Sequence, residues 1–314
     1  MKTISVIVPC YNEESTVLTF FGEAERVRRE LFTPLDVDFE YLFVDDGSTD
    51  KTLELIKGLR EKNDRVRFIS FSRNFGKEAA MLAGMENATG DFVTMLDADL
   101  QDPPAMLRTM YDGIVDEGYD QVAARRVTRK GEPILKTIGA NAFYKLIDKM
   151  SDVEMVSGAR DFRLMKRKVV EAILALPEKC RYSKGIFSFV GFRTKWIPYE
   201  NSKRVAGVSK FPLGKLIRYA FEGITAFSTA PLYLSAVTGG LLLTGGIVTL
   251  ILAIIFSNSV LTGCTIGLLI GGSILLGLGI LGQYLSQIFI EIKARPVYIV
   301  RETETDHSIE LKKD

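Results

Sequence analysis

Residues 231–290 carry no charged side chain, and this stretch limits the folds open to the chain more than any other feature. It holds two apolar runs, at 231–256 and 261–289. Each run reaches or exceeds the roughly 20 residues with which an α-helix crosses a bilayer. A buried core helix is the alternative, but few core helices are this long. The glycines in both runs also suit close helix packing in lipid, so the sequence predicts a transmembrane hairpin.

The flanks of this hairpin are basic, while the turn at 257–259 is short and uncharged. Lysines and arginines next to membrane spans favour the cytoplasm, so the turn is expected outside and both flanks inside. Residues 211–230 have apolar side chains at helical spacing, which predicts an amphipathic helix at the membrane surface. We therefore expect a cell-membrane protein with two spans, a cytoplasmic domain of residues 1–210 and a cytoplasmic tail of residues 291–314.

Charge and side-chain chemistry exclude several classes of function. The formal net charge of +1 gives no overall field that would attract nucleic acid, so no nucleic-acid partner is expected. Cys10, Cys180 and Cys264 lack the spacing of a metal or redox site and are expected as free thiols. His307 is the only histidine and lies in a polar stretch, which excludes histidine-based catalysis.

The first 210 residues alternate short apolar runs with helical patterns. The apolar runs predict strands at 4–8, 41–44, 66–71, 92–96 and 121–124. The patterns between them predict helices at 14–31, 51–61, 77–87 and 104–117. This alternation is typical of an α/β domain with a parallel sheet and helices on both faces.

Polar segments follow the predicted strands at the ends where such sheets bind their ligands. They comprise residues 12–13, 45–46, 72–74, 97–102 and 125–126. No Gly-x-Gly-x-x-Gly follows the first strand and no Gly-x-x-x-x-Gly-Lys-Ser/Thr occurs, which disfavours a dinucleotide or P-loop site. Asp97 and Asp99 flank one small residue, and their oxygens can hold a divalent cation that binds a diphosphate. Acidic loop residues that cap a helix give the same pattern, and this alternative stays open.

Four of the strand-end segments carry recognisable motifs. They are 6–14 (Val-Ile-Val-Pro-Cys-Tyr-Asn-Glu-Glu), 44–50 (Val-Asp-Asp-Gly-Ser-Thr-Asp), 72–77 (Ser-Arg-Asn-Phe-Gly-Lys) and 97–104 (Asp-Ala-Asp-Leu-Gln-Asp-Pro-Pro). Together they resemble glycosyltransferase family 2, whose catalytic domain has the GT-A fold, a Rossmann-like α/β fold with a mostly parallel sheet. Residues 157–165 and 207–211 are similar to its polyprenyl-phosphate branch, which includes dolichyl-phosphate mannose synthase. The two apolar runs followed by residues 295–300 resemble the bactoprenol glucosyltransferases most closely.

The resemblance implies a reaction and its substrates. A UDP-sugar, UDP-glucose first and UDP-N-acetylglucosamine next, would give one hexose to undecaprenyl phosphate, with inversion, at the cytoplasmic face of the membrane. The product would be a lipid-linked sugar for modification of cell-envelope glycans. The resemblance also implies Mg²⁺ or Mn²⁺ held by Asp97, Asp99 and Gln101, and it allows a homotetramer.

The resemblance further assigns the side chains that would bind the nucleotide sugar: Pro9, Tyr11, Glu13, Asp45, Asp46, Arg73, Lys77 and Asp97. Tyr11 can offer a flat face to the uracil, or it can be a tyrosine at the edge of the core. Asp45 can accept from the uracil N3–H; an Asx turn that caps the next helix is the alternative, and the two are compatible. Arg73 and Lys77 are candidates for phosphate or sugar contacts, with solvated surface residues as the alternative.

For the acceptor, the resemblance assigns phosphate contacts to Arg125, Lys136, Arg204, Ser209 and Lys210. A basic cluster attracted to anionic lipid is the alternative reading, and the two are compatible. Asp99 and Asp161 are the catalytic candidates. The acceptor phosphate, with a second pKa of about 6, is largely ionised without a base. Asp161 therefore either assists that phosphate or is a structural partner of Arg160 or Arg163.

Three other functions remain as alternatives. A processive polysaccharide synthase generally carries Gln-x-x-Arg-Trp and more spans, but here the only tryptophan, Trp196, follows Phe-Arg-Thr-Lys. A non-catalytic membrane scaffold that binds nucleotide sugar would not need Asp97, Asp99 and Gln101. A small transporter or flippase would need a polar pathway through its spans, and these spans are uncharged.

Overall fold

The computed structural model describes residues 1–126, 156, 158–179, 181–199 and 259–305, together with four helical pairs between 238 and 249. The chain divides into two compact units. The first comprises Met1–Tyr144, Met155–Pro212 and Pro296–Asp314, and the second comprises Lys145–Glu154 and Leu213–Arg295. The chain thus leaves the first unit before the apolar segments and returns to it after them.

The first unit is an α/β domain, and its first half follows the predicted alternation. Its elements are β1 (Lys2–Cys10), α1 (Val17–Val27), β2 (Val37–Asp45), α2 (Thr52–Lys62), β3 (Val66–Phe71), α3 (Lys77–Asn87), β4 (Phe92–Met95), α4 (Met106–Val115), β5 (Gln121–Arg126), β6 (Ala159–Lys166), α5 (Arg167–Leu174), α6 (Ser183–Phe189), β7 (Thr194–Tyr199) and β8 (Val300–Thr303). Every predicted strand and helix before residue 127 is present, with ends that differ by a few residues.

The strands form one sheet in the order β7-β5-β6-β4-β1-β2-β3-β8. Neighbours pair in parallel from β4 through β1 and β2 to β3, and also between β5 and β7. Three pairings are antiparallel: β6 with β4, β6 with β5, and β8 with β3. The predicted mostly parallel sheet is therefore confirmed. The sequence pattern did not predict the antiparallel strand between β4 and β5.

Helices cover both faces of this sheet because successive side chains of a strand point to opposite sides. Ile4, Val6 and Val8 of β1 lie in one core cluster with buried residues of α1, α2 and α4. Ile7 points to the other face, against α3. A Cβ atom at Gly84 would lie 2.2 Å from Cγ2 of Ile7, so glycine is needed for this close approach.

The C-terminal strap, residues 298–304, adds an edge strand to the sheet. Strand β8 pairs with β3, and the Ser72 N–H donates to the carbonyl oxygen of Ile299 at 3.0 Å. The Tyr298 ring stacks on Phe71 with centroids 4.8 Å apart. Lys57 and Arg67 form ion pairs with Glu302 and Glu304, at 2.6 and 2.7 Å. The segment 291–314, expected as a tail, is therefore tied to the domain through these residues.

The second unit contains α7, a helix of 34 residues from Ser259 to Ile292. Its stretch Leu269–Ile292 has 24 residues and a mean hydropathy of 1.6. Length and composition make it the one helix among the described residues that could cross a membrane. Most of the first predicted span, residues 231–256, lies outside the described residues, as do the amphipathic segment 211–230 and the turn residues 257–258.

Candidate active site

Lys77 joins two carboxylates at the carboxyl end of β4. Its Nζ lies 2.7 Å from Oδ1 of Asp97 and 3.0 Å from Oδ2 of Asp161. The register of the sheet explains this meeting, because Thr94 of β4 pairs with Leu164 of antiparallel β6. Three further steps along both strands bring Asp97 beside Asp161. Strand β6 thus places Asp161 at the edge of the sheet where ligands are predicted to bind. Asp161 lies 64 positions after Asp97 in the sequence.

The Lys77 ammonium lies between the two carboxylates and attracts both. Burial opposes the ionisation of Asp161, but the ammonium groups of Lys77 and Lys184 outweigh it and hold the pKa of Asp161 far below its usual value. Burial likewise opposes the charge of Lys77, and Asp97 and Asp161 outweigh it, so the Lys77 pKa is raised. The sequence offered Arg160 or Arg163 as the structural partner of Asp161, and the close partner is instead Lys77.

A small pocket opens beside this cluster. It is lined by Met95, Asp97, Asp102, Arg160, Asp161, Phe162 and Lys184. Asp102 is only 3% exposed and accepts a hydrogen bond from the Tyr199 hydroxyl. Arg160 contacts both groups, with Nη2 3.5 Å from Asp102 and Nε 3.1 Å from the Tyr199 oxygen. Burial raises the pKa of Asp102 even though the Arg160 charge opposes that shift.

Arg163 provides a buried positive charge in β6, two residues after the pocket residue Asp161. Its guanidinium lies 3.7 Å from the centroid of the Phe187 ring, and it donates to the Arg160 carbonyl and the Gln121 side chain. Burial lowers the Arg163 pKa to about 9, although the charge of Asp161 opposes this shift. Through its hydrogen bond to the Arg160 carbonyl, this arginine stabilises the backbone that carries Arg160 and Asp161.

The loops after β1, β2 and β3 meet through the adjacent carboxylates Asp45 and Asp46. Asp45 accepts from the Ser48 N–H at 3.1 Å and from the Ser70 hydroxyl at 2.8 Å. Asp46 accepts from the backbone N–H groups of Phe75 and Gly76. Burial raises the pKa of Asp46 to about 6. Asp45 therefore makes the predicted Asx-type turn, while Asp46 ties the β2 loop to the β3 loop.

Gly47 completes this junction. Its φ is +66°, and a Cβ atom there would lie 2.4 Å from the carbonyl carbon of Arg73. At the start of the helix that follows, Oδ1 of Asp50 accepts the Thr52 N–H at 3.0 Å. The motif at 44–50 thus combines a close contact between loops with a helix start.

The β1 loop interlocks with the β2 loop through Asn12, which has a φ of +54°. The Asn12 N–H donates to the Ser48 hydroxyl oxygen at 3.0 Å, and Oδ1 of Asn12 accepts the Thr49 N–H at 2.8 Å. Glu13 accepts from the Thr16 hydroxyl at 2.8 Å. Tyr11 is 37% exposed, so its ring is accessible at this edge rather than buried in the core.

Asp99 and Gln101 form a turn of their own, in which the Gln101 N–H donates to Oδ1 of Asp99 at 3.1 Å. Within the described residues, no three His, Cys, Asp or Glu side chains converge on one point. The donor set still fits Mg²⁺ or Mn²⁺, because Mg²⁺ commonly takes one or two carboxylates and completes its shell with water and substrate phosphates. Asp97 and Asp99 are half-buried and supply hard oxygen ligands of this kind.

The remaining predicted residues are distributed as follows. Arg73 is exposed, and its guanidinium lies 4.0 Å from the Phe75 ring centroid. Arg125 is exposed near the carboxyl end of β5. Lys136, Arg204, Ser209 and Lys210 lie outside the described residues. Pro9 pairs with Val44 within the sheet.

Several pocket residues were not singled out from the sequence. Asp102 and Arg160 lie inside the motifs at 97–104 and 157–165, so the motifs contained a signal for them. Lys184 lies in no recognised motif, and neither does Tyr199, which contacts the pocket residues Asp102 and Arg160. Lys184 is carried by α6 and Tyr199 by β7.

Comparison with known proteins agrees with this arrangement. Residues 5–174 match the family model described as glycosyl transferase family 2. A Bacillus subtilis (strain 168) protein with the provisional name glycosyltransferase CsbB is 41% identical over 306 residues, which cover 95% of this chain and 91% of that protein. The bactoprenol glucosyl transferase of Shigella phage SfII is 39% identical over 307 residues, which cover 96% and 98%.

Among solved structures, glucosyl-3-phosphoglycerate synthase from Mycobacterium tuberculosis, in complex with Mn²⁺, UDP and phosphoglyceric acid, matches with a TM-score of 0.48. The match covers 71% of this chain and 76% of that chain at 20% identity. The family model and the sequence relatives identify the class of protein. The chain belongs to glycosyl transferase family 2 and is a glycosyltransferase.

Proposed function

We propose that this protein transfers one hexose, with inversion, from a UDP-sugar to undecaprenyl phosphate at the cytoplasmic face of the membrane. The observation that carries the proposal is the 39% identity to a bactoprenol glucosyl transferase over 96% of this chain. That similarity includes the apolar C-terminal segments as well as the catalytic domain. UDP-glucose is the preferred donor in this proposal, and UDP-N-acetylglucosamine is the next.

In the proposed reaction, an oxygen of the acceptor phosphate attacks C1 of the sugar. The new C1–O bond forms as the bond from C1 to the diphosphate breaks, and UDP leaves with that electron pair. The acceptor phosphate, with a second pKa of about 6, is already ionised near neutral pH. No side chain has to remove its proton. Asp161 is therefore proposed as a positioning residue that holds Lys77.

The leaving diphosphate needs positive charge as its bond to C1 breaks. Mg²⁺ or Mn²⁺ bound by Asp97, Asp99 and Gln101 would supply that charge. Lys77 is proposed to add a second cation, because its ammonium already lies 2.7 Å from Asp97. Asp97 would thus connect the metal site to the lysine.

The remaining substrate contacts are proposed from where each residue lies relative to the carboxyl ends of the strands. Pro9, Tyr11, Glu13, Asp45, Asp46 and Arg73 lie at or beside the carboxyl ends of β1, β2 and β3, which suits the nucleoside. Arg125 lies at the end of β5 and is proposed for the acceptor phosphate, together with Lys136, Arg204, Ser209 and Lys210. Two spans are proposed to anchor the domain, of which α7 supplies one candidate.

The test is turnover by the full-length protein in membranes. Undecaprenyl phosphate and Mg²⁺ are incubated with a panel of UDP-sugars, and the lipid products are separated and analysed. We expect one lipid monosaccharide phosphate and no product from Asp99→Asn. Growth of a polymer would favour a processive synthase, and absence of any lipid product with every donor would contradict the proposal.

A further inference from the structure

Of the described residues, two cations line the pocket, Arg160 and Lys184, and the proposed reaction uses neither of them. Lys77, next to the pocket, is shared between Asp97 and Asp161, at 2.7 and 3.0 Å. Arg160 is engaged with Asp102 and Tyr199. Lys184 also lines the pocket, yet it forms no ion pair with any residue that the structure describes. Among the described residues, Asp161 attracts this charge without forming an ion pair with it.

The position of Lys184 is fixed by its neighbour. The N–H and the hydroxyl of Ser183 both donate to the Glu78 carboxylate, and Ser183 is buried. Glu78 directly follows Lys77 at the start of α3. One short segment of α3 therefore holds the Asp97–Asp161 pair through Lys77 and the first turn of α6 through Glu78. A lysine that forms no ion pair with a described residue is thereby held at the edge of the pocket.

An ammonium that forms no ion pair with a described residue can bind an anion that enters the pocket. Asp161 offsets only part of the Lys184 charge, because Asp161 already pairs with Lys77 at 3.0 Å and attracts Lys184 from a longer distance. Lys184 is also only half-buried, so its flexible side chain can reach a ligand from the rim of the pocket. A phosphate oxygen is the complement that a compact, hydrated ammonium binds well.

We propose that Lys184 binds a phosphate group of a substrate in this pocket, beside the Lys77–Asp97–Asp161 cluster. The inference rests on the proposed function, because that function brings two phosphate-bearing molecules to the site. The phosphate belongs either to the nucleoside diphosphate of the donor or to the phosphate monoester of the acceptor. Both present the same oxygen chemistry to the lysine, and binding experiments distinguish them.

The experiment compares the full-length protein with Lys184→Gln, Lys184→Arg and a matched control, Lys168→Gln. Lys168 is an exposed lysine on α5 that pairs with Asp120 at 2.7 Å and lies outside the pocket. Equilibrium binding of UDP and of undecaprenyl phosphate is measured for each protein in detergent, without turnover. The two KM values are then measured with UDP-glucose and undecaprenyl phosphate.

We expect Lys184→Gln to lower the affinity for one of the two ligands on the order of ten- to a hundredfold, because the variant loses one charge-assisted hydrogen bond to phosphate. Lys184→Arg keeps the charge and should bind within a fewfold of wild type, and Lys168→Gln should be unchanged. Loss confined to UDP assigns the donor diphosphate, and loss confined to the lipid assigns the acceptor phosphate.

Unchanged affinity for both ligands in Lys184→Gln would overturn the inference, as would equal losses in the Gln and Arg variants. The binding comparison does not depend on turnover. If wild-type protein makes no lipid-linked sugar, the proposed function fails, while the affinities still decide the role of Lys184.

Discussion

Oδ2 of Asp161 lies 3.0 Å from the ammonium of Lys77, and this ion pair connects β6 to the start of α3. The pKa of Asp161 is lowered and that of Lys77 is raised. A carboxylate with a lowered pKa contributes stability above its unfolded pKa of about 4, and a lysine with a raised pKa does so below about 10. Both groups therefore stay charged between about pH 5 and 9.

This ion pair predicts how Asp161→Asn behaves with pH. Turnover should fall on the order of ten- to a hundredfold, because Lys77 loses one of its two anchors. The loss should be the same at every pH from 6 to 9, since Asp161 does not titrate there. Rate–pH profiles of both proteins check this, with Asp120→Asn as the control for removal of a carboxylate outside the pocket. A loss that disappears at high pH would mean that Asp161 accepts a proton instead.

Asp46 predicts a dependence of stability on pH with the opposite sign to that of Asp161, because the Asp46 pKa is raised and not lowered. Burial raises its pKa to about 6, so the folded protein holds this proton more tightly than the unfolded chain. The contribution is fully present below about pH 4 and is lost as pH rises through 6, a change of at most about 3 kcal/mol. Asp46→Asn should remove it. The Tm of the variant relative to wild type should increase from pH 4.5 to 7.5, and a constant difference would contradict the assignment.

The predictable half of the domain is the half in which neighbours in sequence are neighbours in space. Strands β1 to β4 and their helices could be predicted from the spacing of apolar residues and from the turn residues. Each strand packs against a helix that is close to it in sequence, so a local pattern is sufficient. Asp45, Asp46, Asp97 and Asp99 could therefore be placed at one edge before any coordinates. Their hydrogen-bond partners could not be predicted, since Ser70 of β3 donates to Asp45 and Phe75 donates to Asp46 from the loop after β3.

The rest depends on long-range pairing that the local pattern does not contain. Strand β6 mixes charged and apolar residues, and it buries Arg163, which a binary pattern assigns to solvent. Strand β8 is mostly polar. Glu302 within it and Glu304 just after it are compatible with the sheet edge because Lys57 and Arg67 neutralise them. The Lys77–Asp161 pair follows from the antiparallel register of β6, which no spacing along the sequence indicates.

Asp99 predicts dependence on a divalent cation. Asp99→Ala should abolish turnover, because a carboxylate that would bind the cation is lost. The variant should stay folded, and comparison of its Tm with that of wild type checks this; in the wild type the Asp99 side chain accepts the Gln101 N–H in a local turn. UDP affinity of the wild-type protein should fall with EDTA and recover with Mg²⁺ or Mn²⁺. Near-normal turnover by Asp99→Ala, together with indifference to EDTA, would exclude the metal-dependent mechanism.

Tyr298 predicts that the C-terminal strap stabilises the catalytic domain. Its hydroxyl donates to Glu86 and its ring stacks on Phe71, the last residue of β3. Tyr298→Phe should cost about 1 kcal/mol through the lost hydrogen bond. Tyr298→Ala should cost about 3 kcal/mol because the ring packing is lost as well. Thermal unfolding of the full-length protein in detergent checks the order, and equal Tm values for the two variants would show that the ring contributes nothing.

The basic flanks of the apolar segments predict that the turn around Asn258 faces the outside of the cell. In a background in which Cys10, Cys180 and Cys264 are replaced by serine and turnover is retained, Asn258→Cys should react with an impermeant thiol reagent in intact cells. Lys293→Cys, just beyond the C-terminal end of α7, is the matched control and should react only after lysis. The two sites lie at opposite ends of one apolar helix, so a bilayer must separate them if that helix spans it. Labelling of Asn258→Cys only after lysis would mean that both ends of α7 lie on the cytoplasmic side, and the helix would then not cross the membrane.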